Sequence, residues 1–138
     1  MKAADQFMEL TKRAIPKDKY DVESLKSLRG LDIGQIKLIL PLLMEWLQDI
    51  NWPVAPPLSK ALADYGIVLL PFFRLVLNSG DPQWQFSVMH SLIRELPKDI
   101  SIHLKEDLLR IVLQPTQGEL LEELNILAKE TIDYIEVL

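Results

Sequence analysis

One stretch of this chain is written twice. Ile39-Leu40-Pro41-Leu42-Leu43-Met44-Glu45-Trp46-Leu47-Gln48-Asp49-Ile50-Asn51-Trp52 leads into an apolar segment that ends at Gly66. Leu69-Leu70-Pro71-Phe72-Phe73-Arg74-Leu75-Val76-Leu77 leads into Asp81-Pro82-Gln83-Trp84 and a second such segment, ending at Leu96. Pro41 and Pro71 stand 30 residues apart, and the pairs Asp49/Asp81 and Trp52/Trp84 stand 32 apart, with Ser79-Gly80 as the insertion. A repeat of helix, Asp-turn and helix at this period is how a stacked array of helix pairs is encoded. One pair alone cannot bury its apolar face, so it needs a copy beside it.

The spacing of apolar residues supports helices throughout, with no sustained alternation of the kind strands require. Ala3, Phe7, Leu10 and Ala14 form one stripe, stopped at Pro16. Asp21 is placed to cap a short helix carrying Val22, Leu25 and Leu28, closed by Gly30. Asp32 and Gln35 have capping-box spacing ahead of Ile36 to Leu47, where Pro41 predicts a kink or an early break. A helix is expected from about Trp52-Pro53 to Tyr65, another from Asp81-Pro82 to before Pro97, and another over Ile102 to Leu113. Thr116 and Glu119 form a second capping box for a last helix striped by Leu120, Leu124, Leu127, Thr131, Ile135 and Leu138. The expected fold is therefore all-α: an α–α solenoid of antiparallel helix pairs, about seven helices in one domain. Residues 1–30 would be an N-terminal cap, 31–97 two repeat units, and 98–138 a C-terminal cap.

Composition agrees. With 138 residues, 49% hydrophobic and 25% charged, the chain has length for one domain and apolar surface enough for a core. It has no cysteine, so thiol chemistry and thiolate metal sites are excluded. The longest apolar runs, Leu38 to Met44 and Ile67 to Phe73, are seven residues each and far short of the roughly 20 that span a bilayer. The start of the chain lacks a secretory pattern, which makes the cytoplasm the expected location. The net charge of −5 is unevenly spread: +2 over residues 1–30, −2 over 31–115 and −5 over 116–138. Such a balance repels polyphosphate, so neither nucleic acid nor membrane is the expected partner.

Two motifs carry a resemblance. Ile15-Pro16-Lys17-Asp18-Lys19-Tyr20-Asp21, taken with Glu45-Trp46-Leu47-Gln48-Asp49-Ile50-Asn51-Trp52-Pro53-Val54-Ala55-Pro56-Pro57, is similar to a family of small bacterial HEAT-like proteins known only as a domain of unknown function. The resemblance covers most of the chain. It implies an all-helical fold and a bacterial origin, and it carries over no catalytic residue.

Chemistry-bearing constellations are sparse. There is no Gly-rich phosphate loop and no nucleophile elbow. His90 has no second ligand at suitable spacing, and His103 has only Glu106 and Asp107, short of the three ligands a catalytic metal site needs. No catalytic residue, cofactor or metal is expected. Trp46 falls with Ile39 and Leu42 on an apolar face and reads as core. Trp52 and Trp84 read as indoles sealing the seam between units, each after a capping Asp. The acidic last helix, from Glu119 to Glu136, reads as a solvated outer face.

The binding candidates are two. Gln48, Asp49, Asn51, Trp52 and Pro53 form a polar–aromatic corner that the second repeat copies only in part. Lys17 and Asp18 belong to a compact polar loop between the first two helices, where a rigid scaffold presents side chains. The expected function is a non-enzymatic protein–protein interaction module, neutralising or regulatory in kind. The alternative is a helical-repeat enzyme acting on nucleic acid, such as a HEAT-like DNA glycosylase, which would need a basic concave groove.

Overall fold

The computed structural model describes residues 3–137, so Leu138 of the expected stripe lies outside the described residues. Every regular element among those described is helical, with no strand. The α-helices are α1 (Ala3–Arg13), α2 (Ile33–Glu45), α3 (Ala55–Ala63), α4 (Leu70–Leu77), α5 (Pro82–Ser87), α6 (Ile93–Glu95), α7 (Lys98–Ser101), α8 (Lys105–Leu113), α9 (Gln117–Leu121) and α10 (Leu124–Glu136). Short 3-10 segments occupy Glu23–Gly30, Gly66–Leu69 and Ile102–Leu104, and a π turn, Val88–Leu92, joins α5 to α6 in one rod. No helix of the described residues is long and apolar enough to cross a membrane.

The segments outnumber the seven helices expected, for local reasons. Pro41 does not break α2: it lies inside the helix, exposed, and the helix runs on to Glu45. The segment after Trp52 starts later than its apolar pattern suggests. Residues 52–54 turn first, Val54 donates its amide to the Lys19 carbonyl at 2.9 Å, and α3 begins only at Ala55. The last helix is split, because Glu123 sits at φ 56°, in the left-handed region, and separates α9 from α10. A non-glycine residue pays strain there, and the Glu123 amide is tied back to the Leu120 carbonyl at 3.0 Å. The short helix expected before Gly30 is there, as a 3-10 helix over residues 23–30.

Other starts are where the residues put them. Asp32 and Gln35 make a reciprocal capping box on α2, the Asp32 carboxylate accepting from the Gln35 amide at 2.8 Å. Thr116 and Glu119 do the same on α9. Asp81 accepts from the Trp84 amide at 3.2 Å, with Pro82 in the first turn where a missing N–H costs nothing. Gly80, in the inserted Ser79-Gly80, has φ 77° and so turns the chain into that cap. Asp49 does not cap a helix. Its carboxylate accepts from the Asn51 amide at 2.8 Å within a turn. Replacing Asp81 with Ala is therefore expected to cost about 1 kcal/mol and Asp49→Ala clearly less, a difference that paired urea melts will read.

Two rows of neighbours result. α1 packs on α2, α2 on α4, and α4 on α8. Behind them, residues 23–30 pack on α3, α3 on the π turn, and the π turn on α10, which also lies along α8. The core runs between the rows and includes Ile36, Leu40, Leu43, Leu58, Leu62, Phe73 and Met89, all essentially inaccessible to solvent.

Candidate functional site

Trp46 marks the site because it is only half-buried, contrary to its expected core role. It closes α2, where the chain turns toward residues 48–54. There the Trp52 ring meets it edge-on, with centroids 5.6 Å apart and planes at 60°. Offset edge contacts are the favourable arrangement for two ring quadrupoles. With the Ile15 and Pro16 side chains behind them, and Leu42, Glu45 and Gln48 alongside, the indoles line a cleft of about 360 Å³. Its walls are mostly apolar, and the exposed Glu45 has no ion-pair partner among the described residues.

The structure thus brings Gln48 and Trp52 into one cleft and leaves Asp49, Asn51 and Pro53 outside its lining. Asp49 is spent on the turn, while Asn51 and Pro53 are exposed beside it. Lys17 and Asp18 line a different depression of about 570 Å³, open to solvent, together with Arg13, Tyr20 and Asp21. This loop is ordered by Asp21, whose carboxylate accepts from the Ser24 hydroxyl at 2.6 Å and the Lys17 amide at 2.9 Å. Those hydrogen bonds, the one from Ser24 foremost, hold the Asp21 carboxyl below its ordinary pKa. The Lys19 carbonyl's bond to Val54 ties the loop to the Trp52 corner, so the two candidate patches are neighbours.

Sequence reasoning missed Ile15, Pro16, Leu42 and Glu45. Leu42 was assigned to the apolar face, yet it is 46% exposed and borders the cleft. Both motifs that carried the family resemblance, 15–21 and 45–57, contribute to this one place, which is the signal that was available.

The second tryptophan corner does something else. Trp84 donates its indole N–H to the Met44 carbonyl at 3.0 Å, joining α5 to α2 across the seam. The histidines are peripheral: His90 is exposed and stacked on Phe86, and His103 is exposed with its carbonyl taken by Arg74. Among the described residues no three His, Asp or Glu side chains converge where a metal ion would sit.

Glu119 corrects the reading of the acidic last segment as an outer face. It is 1% exposed, and both carboxylate oxygens are occupied. One accepts from Arg110 at 2.9 Å and the Thr116 amide at 2.7 Å, the other from Arg110 at 2.7 Å and Gln85 at 2.6 Å. Burial pushes its pKa up, but these donors overcome that and hold it at about 2. The arrangement anchors α9 to α5 and α8, a structural role with no access for a ligand.

A family model described as a domain of unknown function (DUF5071) matches residues 14–132. The chain belongs to this family. The match takes in both cleft-forming segments, Ile15-Pro16 and 42–52, as well as the Arg110–Glu119 pair. No curated protein matches the chain.

Proposed function

We propose that this member of the family is a non-enzymatic protein–protein interaction module, working in the bacterial cytoplasm as a neutralising or regulatory binding protein. Its two rows of helices are read as an α–α solenoid of HEAT-like pairs, with residues 31–97 as two repeat units between end units 1–30 and 98–138. In such an array the side chains at the turns between helices are presented on one edge, which suits binding an extended partner surface.

The observation that carries this reading is the Trp46–Trp52 cleft. Half-buried tryptophans beside polar groups are what binding hot spots are made of, since they offer large rigid area at low entropic cost. The second repeat spends its tryptophan's indole N–H on a hydrogen bond between helices, whereas the Trp52 indole makes none among the described residues. Lys17 and Asp18 lie in the neighbouring depression and would supply polar contacts beside the cleft. The acidic balance of the chain supports a protein partner over nucleic acid.

Capture from the host's lysate tests it, with the wild-type chain, Trp52→Ala, and Ile67→Ala as an exposed control elsewhere. A protein retained by wild type and control is expected to bind Trp52→Ala about 30-fold more weakly when remeasured as a purified pair. Equal retention by all three would sink the cleft as the docking site.

A further inference from the structure

A second groove lies between residues 23–30 and α3, about 670 Å³ in volume and independent of the tryptophan cleft. Its floor is apolar, formed by Leu25, Ala61 and Tyr65 among others, and its lining carries three cations, Lys26, Arg29 and Lys60, against one carboxylate, Asp64. Lys26 pairs with Glu23 at 3.1 Å, but both are more than 70% exposed, so that pair restrains little. Arg29 and Lys60 are exposed and form no ion pair among the described residues. An apolar floor under an uncompensated basic rim calls for an occupant that is apolar and acidic at once.

The chain itself carries that surface. On α10, Ile126, Glu130 and Asp133 recur at helical spacing on one face, and Val137 follows directly after the helix; all four are exposed. Helical rise puts Ile126 roughly 10 Å from Asp133, with Glu130 between them. Glu130 has no ion-pair partner among the described residues, and Asp133 has only Lys129 at 3.9 Å, both well exposed. Ile126 and Val137, at 52% and 60% exposure, add apolar surface on either side of the two carboxylates.

We propose that the 23–30/α3 groove is the docking site for α10 of a second copy of this chain, Glu130 and Asp133 meeting Arg29 and Lys60. Groove and stripe are different surfaces, so the contact is heterologous. One copy's α10 fills the next copy's groove, and association continues along a row of copies rather than closing at a two-fold dimer. The charge asymmetry, +2 over residues 1–30 and −5 over 116–138, favours the same head-to-tail direction. Screening at high salt opposes it.

Sedimentation of the full chain from about 10 µM to about 500 µM tests this in a range where contacts of modest affinity populate. At low salt the weight-average mass is expected to rise to at least twice the 15.9 kDa of one chain, and to fall back toward it at about 1 M salt, where the Debye length is near 3 Å. Arg29→Glu with Lys60→Glu should stay monomeric, and so should Glu130→Lys with Asp133→Lys; all four positions are exposed, and circular dichroism checks that the fold is intact. Mixing the two charge-reversed chains should restore association, because each groove again meets a stripe of opposite sign. A wild-type chain that stays monomeric, association that survives either reversal, or a mixture that fails to associate would each overturn the proposal. Survival of both reversals would point instead to the exposed apolar residues Leu38 and Leu75.

Discussion

Glu119→Gln is expected to cost about 3 kcal/mol at neutral pH and to flatten the acid branch of the stability curve. Glu119 holds a pKa of about 2 in the folded chain against an ordinary value of 4.5. A carboxyl whose folded pKa is lowered stabilises the fold at pH values above its unfolded pKa. That stabilisation is lost as pH falls from about 4.5 toward about 2, and at 1.36 kcal/mol per unit it amounts to about 3 kcal/mol. Glutamine is nearly isosteric but presents an NH2 where the carboxylate presents only acceptors. Whichever way it turns, donors meet donors: Arg110 and Gln85 on one side, Arg110 and the Thr116 amide on the other. Removing one partner of a buried pair costs about 3–5 kcal/mol. Arg110 is 29% exposed and regains some hydration, which argues for the lower end. Urea melts at several pH values between 7 and 2 check both statements. A Glu119→Gln chain whose stability still falls as steeply as wild type over that window would show that other carboxylates carry the acid sensitivity.

This network shows where reading the sequence stops. The Thr116/Glu119 capping box was legible because capping is local: four consecutive residues contain both hydrogen bonds. That the same carboxylate is buried against Arg110 and Gln85, nine and 34 residues away, is a tertiary fact with no spacing rule behind it. The Asp81-Pro82 start and the Asp32/Gln35 box were legible for the same local reason. The residues place a helix start near Trp52-Pro53. The bond from Val54 to Lys19, across 35 residues, pulls that corner into turns instead. The split between α9 and α10 defied the unbroken apolar stripe because Glu123 takes a left-handed conformation that its residue type disfavours and no spacing signals. Of the candidate site, Gln48 and Trp52 were visible as a polar–aromatic corner. Ile15 and Pro16 reach it only through the fold, and Leu42 looks like any other core leucine until the helix is oriented.

Trp84→Ala is expected to destabilise the fold by about 3 kcal/mol, and Trp52→Ala by no more than about half of that. The two residues stand at matching positions of the repeat, so a purely structural repeat would make their costs equal. Their surroundings differ. Trp84 is half-buried and its N–H···O=C bond to Met44 is the direct link between α5 and the last turn of α2. Truncating it opens a gap at the seam and removes a hydrogen bond, two losses that add. Trp84→Phe keeps most of the packing and should cost only about 1 kcal/mol, the share of the hydrogen bond. Among the described residues the Trp52 indole N–H donates no hydrogen bond, and the ring touches Trp46 by its edge, a contact of about 0.5–1.5 kcal/mol, with its outer side facing the cleft. Its removal should leave the cooperative urea transition close to wild type while the purified partner's affinity falls. Melts in which Trp52→Ala proves as damaging as Trp84→Ala, with partner affinity unchanged, would make both indoles seam residues. The cleft would then lose its one distinguishing anchor, and the Lys17–Asp18 loop would be left as the remaining candidate surface.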